Sequence, residues 1–278
     1  MGYSLDNKGE HISFFIEIFA HSVMPERARA RPSFRLIIMQ GALRKEYYVK
    51  IIRKIEVFGD SILKGIQINP FNKRYHVDNN IGVDMLCEKF SLNIVNRSKL
   101  GCTVIRGKAL LDSYLKKPSD CAAILMDYGG NDCDFDWKAV SENPGAEHEP
   151  KTPISIFRKT YMEIINRIVE KGIRPVLTNL PPLEPQRYFD WFCKGLNKEN
   201  ILRWLDGVNT IYRYHEFYSR VIEEIARNTK TMLVDLRSAF LNERHIGRFL
   251  CEDGIHPNTE GQRLITQEFT SFCACAFS

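Results

Sequence analysis

From Ile55 onward the chain alternates short apolar runs with longer segments of helical spacing, and no other feature narrows the fold as much. Ile55–Phe58, Asn93–Asn96, Cys121–Asp127, Arg174–Thr178 and Thr231–Asp235 read as strands. Cys121–Asp127 (CAAILMD) is a continuous apolar run, as in a strand buried on both faces. Between the strands, Gly82–Phe90, Val104–Leu115, Ile154–Lys171 and Asn209–Thr229 read as helices, and Thr259–Phe272 closes the chain with another. Five strands alternating with helices predict right-handed βαβ units and a parallel sheet. Ligands of such sheets bind outside the carboxyl ends of the strands, so chemistry is expected in the loops that follow them.

Composition excludes several classes. With 278 residues, 44% hydrophobic and 26% charged, the chain has the make-up of a globular protein with a sizeable core. Collagen-like, disordered and disulfide-scaffold readings fail on the same numbers. The net charge of +5 resides in residues 1–54, which hold ten Lys/Arg against five Asp/Glu and leave 29 of each for the remainder. A balanced body carries no basic face for nucleic acid, so no nucleic-acid partner is expected. The eight cysteines (Cys87, Cys102, Cys121, Cys133, Cys193, Cys251, Cys273 and Cys275) read as reduced thiols, and Cys273-Ala274-Cys275 lacks further ligands at zinc-like spacing. Ile12–Ala20 is too short to span a bilayer, and Met1–Glu10 carries Asp6, Lys8 and Glu10 rather than the positive start of a signal peptide. A soluble, cytoplasmic protein with no membrane span and no metal is therefore expected; its oligomeric state is left open.

Residues 1–48 differ from the rest. Glu26–Pro32 is a basic run and Leu36–Met39 a short apolar patch, so this stretch reads as a weakly ordered or accessory extension. Residues 49–278 form the expected main domain.

Four loops carry chemical signals. Gly59-Asp60-Ser61 follows the first strand, where the glycine allows a tight turn and Ser61 would open a helix running to Ile66. Gly101 follows the second strand and lets a backbone N–H approach a ligand closely. Gly129-Gly130-Asn131-Asp132 follows the third and offers the uncharged side-chain donor Asn131. Asp253-Gly254-Ile255-His256 follows the last, with spacing that can set a carboxylate against His256 Nδ1. His76, His148, His215 and His245 lack comparable context and read as structural or exposed.

These four blocks, in this order, resemble the SGNH hydrolases, also known as GDSL esterases and lipases. The resemblance runs from about Ile55 to the C-terminus, with Ile62 where the family name has Leu. It implies an α/β fold: a three-layer α/β/α sandwich around a five-stranded parallel sheet of flavodoxin-like order. It also implies Ser61 as nucleophile, His256 as general base, Asp253 as its partner, and the Ser61 N–H, Gly101 N–H and Asn131 side chain as oxyanion donors. Ester hydrolysis through an acyl-enzyme would then need no cofactor.

Two insertions, near 133–150 and 183–206, leave the carboxyl edge of the sheet. Their aromatic residues, among them Trp137, Tyr188 and Trp191, are candidate substrate contacts. Aromatic walls suit a sugar ring or an acyl chain, so a small-molecule or carbohydrate ester is the expected partner and deacetylation of acylated carbohydrate is included. Lysophospholipase or acyl-thioesterase activity, or non-catalytic binding on the same fold, are the alternatives.

Overall fold

The computed structural model describes residues 33–40, 43–50, 53–78, 86, 90 and 92–276. The expected helix Gly82–Phe90 falls largely outside them, as do Cys87 and the basic run Glu26–Pro32.

The chain divides into two units, Met1–Arg53 and Lys54–Ser278. In the first, β1 (Ser33–Gln40) and β2 (Leu43–Lys50) pair antiparallel, with Gln40 opposite Leu43. The sequence pattern marks only the apolar patch Leu36–Met39 in this stretch.

The second unit is built on β3 (Arg53–Gly59), β6 (Leu92–Asn96), β7 (Ala123–Asp127), β8 (Arg174–Thr178) and β9 (Met232–Val234). Their order across the sheet is β6-β3-β7-β8-β9. Renumbered along the sheet this is 2-1-3-4-5, the doubly wound order whose switch point lies between the first and third strands. β3 pairs with β7, β7 with β8 and β8 with β9, all parallel. Successive bonds from Arg97 N to Val57 O and Lys99 N to Gly59 O carry the same sense along the end of β6. Between β3 and β6 the chain forms a small hairpin of β4 (Ile66–Ile68) and β5 (Tyr75–Val77).

Alternation along the strands sorts the core into two halves. Phe58, Ile124, Met126 and Leu177 point to one face, where they meet Leu111 of α1 (Val104–Leu115), Ile164 and Ile168 of α3 (Ile154–Glu170) and Ile222 of α6 (Asn209–Thr229). Val57, Leu125, Val176 and Val234 point to the other, against Phe240 of α7 (Leu236–Leu241) and Ile265 and Phe269 of α8 (Thr259–Ala276). Each such side chain contributes roughly 1.5–3 kcal/mol on leaving water. Apolar strands need cover on both faces, and the helices supply it.

A third cluster lies beyond the sheet. The first insertion contributes α2 (Trp137–Glu142), and the second contributes α4 (Pro185–Phe192) and α5 (Lys198–Leu205). Phe135, Trp137, Val140, Leu183, Phe189, Ile201, Leu205 and Ile211 pack together there. The two insertions therefore share one small core, here called the cap. Among the described residues no helix is long and apolar enough to cross a membrane.

Candidate active site

The loops after β3, β6 and β7 and the loop before α8 converge on one cavity of about 490 Å³. The first of them begins at Gly59. A Cβ there would stand 3.0 Å from Asp127 Cβ and 3.2 Å from Ser98 Oγ, so any side chain would press on β7 and the second loop, and glycine lets β3 end this close to them. Gly59 is needed for close approach rather than for the unusual backbone angles expected of it. Ser61 does not open a helix either. Residues 61–65 form a turn, with Lys64 N bonded to Asp60 O and Ile66 N to Ser61 O. Gly65, at φ +73°, ends the turn and releases the chain into the β4–β5 hairpin. Ser61 is thus held on a tight corner at the cavity wall, buried but for 6% of its surface.

The last loop positions the imidazole. Its two sides are clamped by Cys251 N donating to His256 O at 2.7 Å and Gly254 N to Cys251 O at 3.0 Å. Asp253, fully buried, accepts from the backbone N–H groups of Ile255 and His256 through Oδ1 and from His256 Nδ1 through Oδ2 at 2.5 Å. That fixes the ring so that Nδ1 carries the proton and Nε2 carries the lone pair. His256 Nε2 is buried and has no hydrogen-bond partner among the described residues, Ser61 included. Tyr75 of β5 covers the pair: its ring meets His256 edge-on at 5.2 Å and its hydroxyl lies 3.5 Å from Asp253 Oδ2.

Three potential donors line the same cavity as the imidazole: the N–H groups of Ser61 and Gly101 and the side chain of Asn131. Gly101, at φ +67°, adopts a conformation that favours glycine. Among the described residues neither its N–H nor that of Ser61 donates to another group. Asn131 Nδ2 gives one hydrogen to Asp60 Oδ2 at 2.9 Å, which leaves its second hydrogen for the cavity it lines. Asp60 is itself anchored by Ile62 N at 2.8 Å. Burial, and then the adjacent Asp127, push the Asp60 carboxyl well above the usual range; burial raises Asp127 to about 6. Thr178 Oγ1 donates to Asp127 at 2.9 Å. Asp132 accepts from Val104 N through both oxygens, so the third loop caps the start of α1.

The cap supplies the rest of the wall. Trp137 stacks on Phe192 at 4.2 Å, and its Nε1 donates to Asp134 at 2.8 Å. The Tyr188 hydroxyl donates to the same Asp134 oxygen at 2.9 Å, and Lys151 bonds the other at 2.7 Å. One carboxylate thereby joins the two insertions. A backbone bond from Glu184 N to Gly254 O, 2.8 Å, ties the cap to the histidine loop. Trp191 stands beside Tyr75, with its ring centroid 6.4 Å away and Lys194 above its face.

Ser61, Gly101, Asn131, His256, Trp137, Tyr188 and Trp191 all line this one cavity, and Asp253 stands directly behind His256. Sequence reasoning missed Tyr75 and Leu180, gave Asp60 no role of its own beside Ser61, and placed His215 among the structural or exposed histidines; Asp134 and Phe192 belong to the insertions it expected to shape the pocket. His215 is buried and lines the same cavity. Among the described residues no cluster of His, Cys, Asp and Glu is arranged to hold a metal ion. Cys102, Cys121, Cys133, Cys193, Cys251 and Cys273 are buried thiols.

Residues 57–264 match the profile of the GDSL-like lipase/acylhydrolase family. No curated protein sequence matches the chain. Solved structures share its fold. A lipase/acylhydrolase from Enterococcus faecalis superposes with a TM-score of 0.56 at 18% identity, covering 80% of this chain and 95% of its own. A catalytic mutant of an acetylxylan esterase from Geobacillus stearothermophilus gives 0.55 at 19% identity, over 80% and 95%. The psychrotrophic esterase EstA from Pseudoalteromonas, in a structure inhibited by monoethylphosphonate, gives 0.51 at 16% identity, over 79% and 95%. With three quarters of its length matched by the family profile and the expected α/β sheet in place, the chain belongs to the GDSL-like lipase/acylhydrolase family and is a carboxylic ester hydrolase.

Proposed function

We propose that the protein cleaves carboxylic esters of short to medium acyl chains through an acyl-enzyme on Ser61. The observation that carries this reading is His256: Nδ1 is bound by Asp253 while Nε2 is buried, unpartnered and on the same cavity as Ser61. His256 takes the Ser61 proton as Oγ attacks the acyl carbonyl. The tetrahedral oxyanion then meets the Ser61 and Gly101 N–H groups and the second hydrogen of Asn131, where one such donor is worth about 2.7–4 kcal/mol. The carbonyl reforms, the alcohol leaves with the proton from His256, and water repeats the sequence on the acyl-enzyme. Asp253 stabilises the imidazolium that forms in between.

Cavity chemistry supports the choice of acyl group. Ile62, Phe135, Leu180, Leu183, Phe192 and Ile211 give it a mostly apolar lining, and about 490 Å³ is well beyond what an acetyl group fills. A second reading, deacetylation of carbohydrate, has support from Tyr75 and Trp191, which offer aromatic faces for a sugar beside His256, and from the acetylxylan esterase among the fold relatives.

The test is a series of p-nitrophenyl esters from acetate to decanoate, with acetylated xylan alongside. Hexanoate is expected to exceed acetate in kcat/KM. Ser61→Ala is expected to lower kcat about 10⁶-fold and to abolish labelling by a fluorophosphonate probe. Undiminished hydrolysis in that variant would remove Ser61 from the mechanism.

A further inference from the structure

His215 occupies a place where an aliphatic residue would pack at no cost. It lies on α6 in the stripe Ile211, His215, Ser219, Ile222, at the spacing of a core-facing helical surface. The residue is buried but for 7% of its surface and is one of those that line the cavity. Nδ1 is sealed off and has no hydrogen-bond partner among the described residues. Buried polar atoms are nearly always paired, so the sealed Nδ1 is a cost that packing alone does not explain, and Nε2, which is not among the buried unpartnered atoms, is the nitrogen left to meet an occupant of the cavity.

The ring is neutral. Burial, followed by the nearby Arg237 charge, lowers its pKa to about 3. Arg237 is fixed there by a salt bridge to Glu216 and by bonds to Leu180 O at 3.0 Å and the Tyr212 hydroxyl at 2.6 Å. A neutral ring whose Nδ1 is sealed gains by placing its proton on Nε2, where an incoming acceptor is able to meet it.

The direction of the reaction says which part of the substrate comes near. His256 has to reach the leaving oxygen, so the alcohol lies on its side, beside Tyr75 and Trp191. The buried remainder of the cavity, with Leu180, Pro181, Ile211 and His215, is left for the acyl group. We propose that His215 sets acyl specificity by donating a hydrogen bond to an oxygen carried on the acyl chain, so that the preferred substrates are esters of oxo-, hydroxy- or alkoxy-acids rather than of plain hydrocarbon acids. This rests on the ester-hydrolase reading given above and deepens it.

The probe is p-nitrophenyl hexanoate together with isosteres in which one chain methylene at a time is replaced by an ether oxygen, each rate normalised to alkaline hydrolysis of the same ester. Wild-type kcat/KM is expected to favour at least one ether ester over hexanoate by about tenfold, chiefly through KM. In His215→Phe that ratio falls to about one, and in His215→Gln, which keeps an N–H donor, part of it survives. Wild-type preference for the hydrocarbon over every isostere overturns the assignment without recourse to any variant. So does a ratio retained in folded His215→Phe, checked by thermal melting. Hydrolysis of hexanoate that depends on Ser61 but shows no ether preference removes the role of His215 and leaves the esterase reading standing. Failure of the wild-type protein to cleave any of the esters removes both.

Discussion

The loops at the sheet edge and the cap above them are held together by different means. At the edge, polar groups are fixed by several bonds each: Asp253 accepts four, one of them the long bond from the Tyr75 hydroxyl, Asp60 holds both Ile62 N and Asn131, and Asp132 receives Val104 N through both oxygens. The cap is held mainly by ring packing, with Trp137 on Phe192 and Phe135 against Trp204 at 4.9 Å, and its two halves are joined by Asp134 and by Ser141, which accepts from Asn197 N and, through its carbonyl, from Asn200 Nδ2, each at 2.8 Å. A reacting group displaced by an ångström loses orders of magnitude in rate, so the edge is over-determined. A wall that selects a substrate has only to present the right shape, and packing is sufficient for that.

This contrast is most exposed to failure at Asp253. Asp253→Asn preserves shape and burial but turns an amide N–H toward His256 Nδ1, which forces the ring proton onto Nε2 and removes the base. A fall in kcat of about 10⁴ is expected, with the melting temperature changed far less. Circular dichroism melts alongside steady-state kinetics check it; a loss under tenfold would mean the edge is not the rigid frame described.

Trp137→Ala should do the reverse. Losing a buried tryptophan typically costs about 3–5 kcal/mol, and here the cost falls on the cap. KM for hexanoate is expected to rise severalfold, with a smaller effect on acetate, while cap amides gain hydrogen exchange ahead of those in the sheet. Uniform exchange across both regions would show that they open as one.

The smallest effect concerns proton linkage at the edge. Asp127 is raised to about 6 by burial, so the folded protein keeps a proton that the unfolded chain releases above about pH 4. Stability from this group is full at low pH, declines between about pH 4 and 6, and is level above that. Asp127→Asn should flatten part of that decline and raise stability at pH 7; Asp132, also raised to about 6, and Asp60, pushed well above the usual range, keep the rest. Denaturant melts from pH 4 to 8 measure it, and an unchanged slope would place the proton elsewhere.

The same contrast governs what was legible in the sequence. Strands such as Ala123–Asp127 are apolar on both faces and are followed at once by the residues that line the cavity, so sheet and edge loops could be read together. The turn after Ser61 misled because Ser61–Ile66 looks like a helix start, whereas Gly65 at φ +73° diverts the chain. That diversion creates β5, three residues long and too short for any period to reveal, and with it Tyr75 over His256. Asp134 meets Tyr188 from 54 positions away, a pairing that only the fold makes visible. His215 was obscured by its own helix, where an apolar stripe hides which member touches the cavity.

The bond from Glu184 N to Gly254 O runs between main-chain atoms. Replacing side chains along 183–206 leaves both of those atoms in being, so the aromatic furniture of the cap is free to be exchanged while its mooring to the base-bearing loop endures. A protein built this way is able to remodel the wall of its cavity without disturbing the His256–Asp253 pair.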